Sequence, residues 1–459
     1  MKDKVKQIHF IGMGGVGMAG IAEVCLNLGY QVTGSDLRSS PNLDNLLCQG
    51  ARAQFNHQAS LVKTADVVVV SSAIEASNPE IIWAKSERIP VIPRAEMLAE
   101  LMRMRFGIAI AGTHGKTTTT SLTAAILTEA GLDPTYVIGG RLNQIGSNAR
   151  LGQSQYLVAE ADESDASFLH LMPMICVVTN IDEDHMDTYE GDYARLEQTF
   201  IEFVHRLPFY GDAILCVDHP NVRALMPKLS RKITTYGFDA EADIRGEILE
   251  EKGLTTRFKV QVRDGGSFEV TLNLPGLHNV ANALASIAVS LNQGVEFAAI
   301  QRALRAFSGV GRRFEVYPQR TIGGQSVTLV DDYGHHPVEL EATLSTARKV
   351  FPQQRLVLVF QLHRYTRTRD LFDDFVQALM LADLVILPDV YAAGEPHLPN
   401  FDAKAMLQAL RLRGASGVYA ESLEKLDQIA DEVVNDSDVV LVMGAGNIGG
   451  IAKQWSQQG

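Results

Sequence analysis

The chain has 459 residues, of which 46% are hydrophobic, 21% charged and 7% aromatic, the make-up of a globular protein of about three domains at ~150 residues each. A formal net charge of −13 argues against nucleic-acid or anionic-membrane partners, so an anionic ligand is to be held by local backbone and basic groups. Four scattered cysteines (Cys25, Cys48, Cys176, Cys216) with no C-x-x-C pair, no signal-like start and no long apolar run point to the cytoplasm, without disulfides or zinc.

Short apolar runs alternate with helix-like stretches, the pattern of α/β layers on largely parallel sheets. In the first stretch, strands are expected at QIHFIG, YQVTGSD, DVVVVSS and IPVI, followed by a helix at AEMLAELMRMRF. The first strand runs into HFIGMGGVGMAG, a G-x-G-x-x-G at Gly12, Gly14 and Gly17 that opens a helix, and Asp36 ends the next strand. Backbone N–H groups at such a helix start hold a pyrophosphate, and an acidic side chain there accepts from ribose hydroxyls. The pattern fits an NAD-dependent oxidoreductase, another nucleotide ligand, or a tight turn without a ligand.

A second glycine loop follows the strand GIAIA, in AGTHGKTTTTSL. Gly112 and Gly115 are two residues closer than in the usual G-x-x-x-x-G-K-[ST] loop. Successive N–H groups from Gly112 to Thr117 form an anion-binding concavity, Lys116 meets β- and γ-phosphates, and Thr117 offers a hydroxyl to Mg²⁺. His114 serves either as a cap or as a phosphate contact. Four consecutive threonines are locally unfavourable in a helix, a cost that chemistry or burial must offset.

Strands are next expected at YLVAEAD, MICVVTNI and DAILCVD, then an antiparallel-looking patch from Ile233 to Leu274 and a helix at HNVANALASIAVSLNQG. Glu160, Asp162, Glu163 and Asp165 follow the first of these strands; Asn180, Asp182, Glu183, Asp184, His185 and Asp187 follow the second. Strand ends form the ligand crevice of an open α/β sheet, and hard oxygen ligands suit Mg²⁺, with the histidine suiting Mn²⁺ as well. A third unit carries strands at VTLVDDYGHH, RLVLVFQ, ADLVILPDV and DVVLVMGAG. It offers Asp331, Asp332, Tyr333, His335, His336, His363, Arg364 and Arg367, while Arg369 reads as a surface charge. Arginine forks bind carboxylates and offset phosphate charge. The third G-x-G-x-x-G, at Gly444, Gly446 and Gly449, lies too near the end of the chain for a full βαβ unit and reads as a strand-to-helix turn.

Eight motifs in order (GMGGVGM, AGTHGKTTTT, EADESDASFLHL, TNIDEDHMDTY, LPGLHNVANALA, GVGRRFE, DDYGHHP and HRYTRTRD) make the whole chain resemble the Mur ligases. The resemblance implies three α/β domains: a Rossmann-like one for a UDP-sugar (1–106), a central P-loop-type ATPase (107–313) and a Rossmann-like one for the amino acid (314–459). It also accounts for the short loop, since these ligases carry G-T-x-G-K-[ST]. The implied activity joins L-alanine to the carboxylate of UDP-N-acetylmuramate through an acyl phosphate, giving ADP and phosphate, in peptidoglycan precursor synthesis. A related branch recycles a murein tripeptide onto the same sugar. ATP and Mg²⁺ or Mn²⁺ are the implied cofactors, and a monomer or homodimer the implied state. Domain closure on binding is expected to shield the intermediate from water.

Carried over by motif, Gly112, Thr113, His114, Gly115, Lys116, Thr117 and Thr118 hold ATP phosphates, and Thr117, Glu160 and His185 ligate the metal. Asn279 and Asn282 read the adenine region, Arg313 reaches the phosphates and Asp332 the ribose. Tyr333, His335, His363, Arg364 and Arg367 surround the alanine and the reacting carboxylate; Lys116, His185, His335, Arg364 and Arg367 are the catalytic candidates. Gly12, Gly14, Gly15, Gly17, Met18, Ser35, Asp36, Ser71 and Ser72 hold the UDP-sugar. Two departures stand out. The lysine that several Mur ligases carry about a dozen residues after the D-H pair is absent, and Glu197 is the nearest acidic substitute by spacing. Leu362 stands where the family often has proline.

Overall fold

A computed structural model of the chain describes residues 4–58, 60–71, 73–138 and 149–458; Ser72 lies outside them. The chain packs as two compact units: residues up to 250, 257–273 and 279–308 form one, and 251–256, 274–278 and 309 onward the other.

The first unit contains two sheets. One holds β1 (Gln7–Ile11), β2 (Gln31–Ser35), β3 (Arg52–Gln54), β4 (Val67–Val70) and β5 (Val91–Pro93) in the order β3-β2-β1-β4-β5. Every pair is parallel. The strand order reverses at β1 and β4, so the loops after these two strands flank one crevice. Here lie Gly12–Gly17 and Ser71. The strands can be almost wholly apolar because helices cover both faces; Ile8, Phe10, Val68 and Val69 are fully buried.

The second sheet has ten strands: β6 (Phe106–Ala111), β7 (Thr135–Val137), β8 (Ala149–Arg150), β9 (Tyr156–Glu160), β10 (Ile175–Val178), β11 (Asp212–Cys216), β12 (Lys232–Gly237), β13 (Ile244–Lys252), β14 (Thr255–Val262) and β15 (Gly266–Leu272). Their order is β15-β14-β13-β12-β11-β10-β6-β9-β7-β8. β6 lies between β10 and β9, parallel to both, so the loops leaving these three strands emerge side by side. The expected antiparallel patch is corrected in its first part: β12 pairs parallel with β11, and β13 parallel with β12. Alternation marks a half-solvated strand whatever its direction. The two-residue link from β13 to β14 and the three-residue link from β14 to β15 are what demand antiparallel returns. Beneath this sheet Phe168 stacks on Phe203 at 4.6 Å and meets Phe200 edge-on, each fully buried ring contributing about 1.5–3 kcal/mol.

The second unit carries β16 (Glu315–Ile322), β17 (Gln325–Asp332), β18 (Leu356–Phe360), β19 (Leu384–Pro388), β20 (Gly417–Ala420) and β21 (Val439–Met443), ordered β16-β17-β21-β18-β19-β20. β16, which the sequence did not announce, is an antiparallel edge on an otherwise parallel sheet. β21 sits between β17 and β18, so the loops after these strands share one end of the sheet. Leu362 is fully buried in this unit's core, and its carbonyl accepts from Tyr391 N–H at 2.8 Å. Among the described residues no helix is long and apolar enough to cross a membrane.

Candidate active site

The first glycine loop is tied down by backbone. Gly12 and Met13 N–H donate to the Ser35 carbonyl at 2.9 and 3.1 Å, and Gly14 N–H to Asp36 Oδ2 at 2.8 Å. Gly15 caps the helix Val16–Asn27, so Gly17 and the buried Met18 lie in its first turn. Asp36 also accepts from Leu37 N–H, which makes it a brace of the loop itself. The Ser35 hydroxyl faces away from the loop. It is buried and donates to Glu80, whose carboxylate also meets His9, Gln54 and His57. Burial would raise the Glu80 carboxyl, but the His9 and Ser35 hydrogen bonds hold it below its ordinary value. Ser71, half-buried, follows β4 and accepts from Ala73 N–H.

The second loop is built more tightly. Gly112 has φ +130° and Gly115 φ +82°, and an added Cβ would lie 2.0 Å from Thr179 Oγ1 and 2.5 Å from Asn282 Oδ1 respectively. Glycine is required at both positions, by conformation and by space. His114 N–H donates to Asn180 Oδ1 at 2.7 Å, and its carbonyl accepts from Thr179 and Asn180. The His114 ring lies 3.5 Å from Asp182, which also pairs with His219 and, by its N–H, with Thr113. His114 therefore joins the loop to the end of β10.

Helix Lys116–Glu129 starts on this loop. Its cost of β-branched residues is offset by burial and back-bonding: Thr117–Thr120 are all buried, and Thr120, Ser121 and Thr123 donate to carbonyls four residues back. Thr119 donates to Asn282 Oδ1, and Asn282 lies beside Asn279 on helix Leu277–Asn292.

Lys116 Nζ is enclosed. It donates to the Gly112 and Thr113 carbonyls at 2.7 and 3.1 Å and pairs with Glu163 Oε1 and Oε2 at 2.9 and 2.8 Å. Burial acts to lower its pKa, but the carboxylates of Glu163, Asp162 and Glu160 outweigh it and hold the ammonium above its ordinary value. Burial pushes Glu163 up to about 7, against the pull of Lys116. Asp162 also meets Arg94, 3.4 Å away. Asp184 lies 3.4 Å from His185, whose backbone is left-handed at φ +55°.

No three His, Cys, Asp or Glu side chains converge on one metal-holding point among the described residues. The donor set Thr117, Glu160 and His185 fits a Mg²⁺ ion that takes few protein ligands and completes its shell with phosphate and water. Glu197 accepts from Lys228 Nζ at 2.6 Å, on a helix whose Tyr193 is raised by burial and by Glu197 and Asp182.

In the second unit the predicted residues come together. Tyr333 meets two guanidinium groups, with Arg312 and Arg313 centred 5.2 and 5.1 Å from its ring. The His335 ring is 5.5 Å from Tyr333 and 5.8 Å from His363, and Arg367 Nη1 is 3.4 Å from His363 Nδ1. Arg364 has φ +70°, a strained backbone of the kind that functional sites retain. Asp332, buried, accepts from Phe314 and Gly334 N–H; burial raises its carboxyl while Arg313 draws it down. His336 caps the helix Pro337–Val350 in a capping box with Glu339, and Arg369 pairs with Asp370 at the surface. Sequence reasoning passed over Arg312, whose guanidinium bonds Asp331 and the Gly444 carbonyl, and Tyr391, stacked on His363 at 5.3 Å. Arg312 was visible in GVGRRFE; Tyr391 belongs to no motif.

Three domain families match in succession: Mur ligase family, catalytic domain, over 7–106; Mur ligase middle domain over 110–290; and Mur ligase, glutamate ligase domain, over 312–446. A UDP-N-acetylmuramate–L-alanine ligase of Hydrogenovibrio crunogenus is 67% identical over 459 residues, the whole of both chains. The chain belongs to the Mur ligase family. A second UDP-N-acetylmuramate–L-alanine ligase, from Methylococcus capsulatus, is 56% identical and covers 98% of this Mur ligase and 96% of its own length. The crystal structure of the UDP-N-acetylmuramate–alanine ligase of Thermotoga maritima superposes with a TM-score of 0.83 at 28% identity, over 98% of each chain. A murein peptide ligase from Psychrobacter arcticus gives a TM-score of 0.74 at 25% identity, again over 98% of each. An oxidoreductase would leave the Lys116 loop without a role.

Proposed function

We propose that this Mur ligase joins L-alanine to the carboxylate of UDP-N-acetylmuramate at the expense of ATP, in the cytoplasm, with one domain for each reactant at 1–106, 107–313 and 314–459. The observation that carries the reading is the enclosed Lys116: a helix-start ammonium on a loop that admits only glycine at Gly112 and Gly115, held by the carboxylates that follow β9. The likeness to L-alanine ligases across the full chain supports the choice of substrates.

A carboxylate has no leaving group, so an amine cannot displace one of its oxygens directly. Its oxygen attacks the γ-phosphorus, ADP departs, and the acyl phosphate is then attacked at carbon by the alanine nitrogen, expelling phosphate. Two anions must meet in the first step. Lys116 and the amide groups of the loop offset that repulsion and stabilise the developing charge. Thr117, Glu160 and His185 would hold Mg²⁺, which would supply further positive charge at the phosphates. Asn279 and Asn282 line the adenine region, Arg313 and Asp332 reach the nucleotide, and Gly12–Met18, Asp36 and Ser71 hold the UDP-sugar. Arg364 and Arg367 hold the alanine carboxylate, with Tyr333, His335 and His363 beside it.

Phosphate release from ATP with UDP-N-acetylmuramate tests this, run with L-alanine, without it, and with L-Ala-D-Glu-diaminopimelate in its place. Release that requires L-alanine is expected. Preference for the tripeptide would make the enzyme a recycling ligase, and release with neither would overturn the assignment.

A further inference from the structure

The third glycine loop brings neighbouring side chains close against its backbone. An added Cβ on Gly446 would lie 2.5 Å from Gln361 Oε1 and 2.9 Å from both Cβ and Cγ of Tyr391; on Gly449 it would lie 2.5–2.9 Å from the Arg312 guanidinium. The loop after β21 and the first turn of the helix behind it thus leave room for Gln361, Tyr391 and Arg312. Tyr391 is the one whose position has further constraints. Its N–H donates to the Leu362 carbonyl at 2.8 Å, its carbonyl accepts from Arg364 N–H at 2.9 Å, and a parallel bridge joins it to His363. Its ring stacks on His363 at 19° to the plane, while 38% of the residue remains exposed. The backbone that fixes the arginine helix therefore also fixes an aromatic ring beside it, packed on His363 and partly exposed.

We propose that Tyr391 is a specificity-determining residue, its ring being the wall against which the methyl group of the amino acid is measured. The proposal rests on the reading of Arg364 and Arg367 as the alanine-carboxylate site. A carboxylate held by two arginines leaves the amino-acid side chain to be sorted by shape. A rigid ring seated on a glycine sets a fixed depth, and a misfit of one methylene in such a pocket changes kcat/KM by roughly 10–200-fold. Tyr391 has two side-chain torsions, and its stacking restrains them, so the wall is preorganised.

The test is kcat/KM of the full-length enzyme for glycine, L-alanine and L-2-aminobutyrate, with ATP and UDP-N-acetylmuramate saturating. Y391A is expected to narrow the preference for L-alanine over L-2-aminobutyrate about tenfold, through the amino-acid KM, with the KM values for ATP and the UDP-sugar unchanged. Y391F keeps the ring and restores the discrimination. Y391W deepens the wall and shifts preference toward glycine, and it carries the test should Y391A fail to fold. Unaltered selectivity in both Y391A and Y391W overturns the proposal, as does an equal loss on all three amino acids with a raised KM for ATP. R367K separates the two readings. If it raises the alanine KM while the Tyr391 variants do not alter selectivity, the site stands and the wall falls. If none of these variants moves any amino-acid KM, the assignment of the site itself fails.

Discussion

Glu163→Gln isolates the part played by the carboxylate that holds Lys116. Both side chains are largely buried, at 18% and 4% exposure, and Glu163 gives both of its oxygens to the ammonium. Breaking a buried ion pair costs about 3–5 kcal/mol, but the amide oxygen retains one hydrogen bond and two loop carbonyls remain, so about 1–3 kcal/mol is expected. That loss belongs to the nucleotide-free enzyme. Once phosphates take Lys116, Glu163 no longer neutralises it, and its removal relieves repulsion. The same 1–3 kcal/mol therefore reappears as tighter nucleotide binding, about tenfold or more. The sign with pH follows from burial, which raises Glu163 to about 7. The stability from this group is fully present below the ordinary glutamate value, about 4.5, and is lost as pH rises through about 7, so the deficit of E163Q against the native enzyme is largest in acid and shrinks as pH rises from 6 to 8. Above pH 7 the native enzyme binds a nucleotide only by placing phosphates beside a charged Glu163, so its affinity falls with pH while that of E163Q stays flat. Melting scans with and without ADP and calorimetric titration at pH 6 and 8 read all three effects. An E163Q enzyme that melts as the native one does and binds ADP no tighter would refute the reasoning.

Gly115→Ala places a side chain at φ +82° and 2.5 Å from Asn282 Oδ1; we expect at least a tenfold loss of ADP affinity with UDP-sugar binding kept, and equal loss of both would mean general unfolding. Gly446→Ala overpacks Tyr391 and Gln361 and should lower stability by about 1–3 kcal/mol, measured by denaturant titration. Glu197→Gln should raise the Mg²⁺ concentration for half-maximal activity about tenfold if its carboxylate supports the metal; an unchanged Mg²⁺ dependence leaves Glu197 as the partner of Lys228 alone. Of the four cysteines only Cys48 is exposed, and burial pushes Cys25 up to about 12, so one thiol should react rapidly with a disulfide reagent in the native protein and none in Cys48→Ser.

Much of this architecture was legible because a buried parallel strand writes itself as an unbroken apolar run. VVVV at β4, ICVV at β10 and LVLVF at β18 are examples. Edge strands did not announce themselves. Arg52–Gln54 and Ala149–Arg150 are short and carry polar residues, so nothing distinguishes them from loop. Strand direction in the 233–274 patch was likewise hidden, since alternation reports solvent and not polarity of the chain. At the candidate site, the rule that ligands gather at strand ends singled out Lys116, Glu160 and Tyr333, which the structure places at a helix start, at the end of β9 and just after β17. It could not choose among four clustered carboxylates, of which Glu163 alone grips Lys116 with both oxygens, nor foresee that Ser35 would turn its hydroxyl toward Glu80. Those choices are made by side-chain direction, which one sequence does not print.

Most of the residues assigned to chemistry lie at the last residue of a parallel strand, in the loop that leaves it or in the first turn of the helix that follows. Each sheet thus behaves like a workbench whose tools are bolted along one edge. Exchanging the tools on one bench leaves the other benches as they were. A combinatorial library confined to residues 363–366 and 391 would vary what the enzyme accepts as its nucleophile while keeping the Lys116 loop, its glycines and the buried core residues Leu362 and Val390 unchanged.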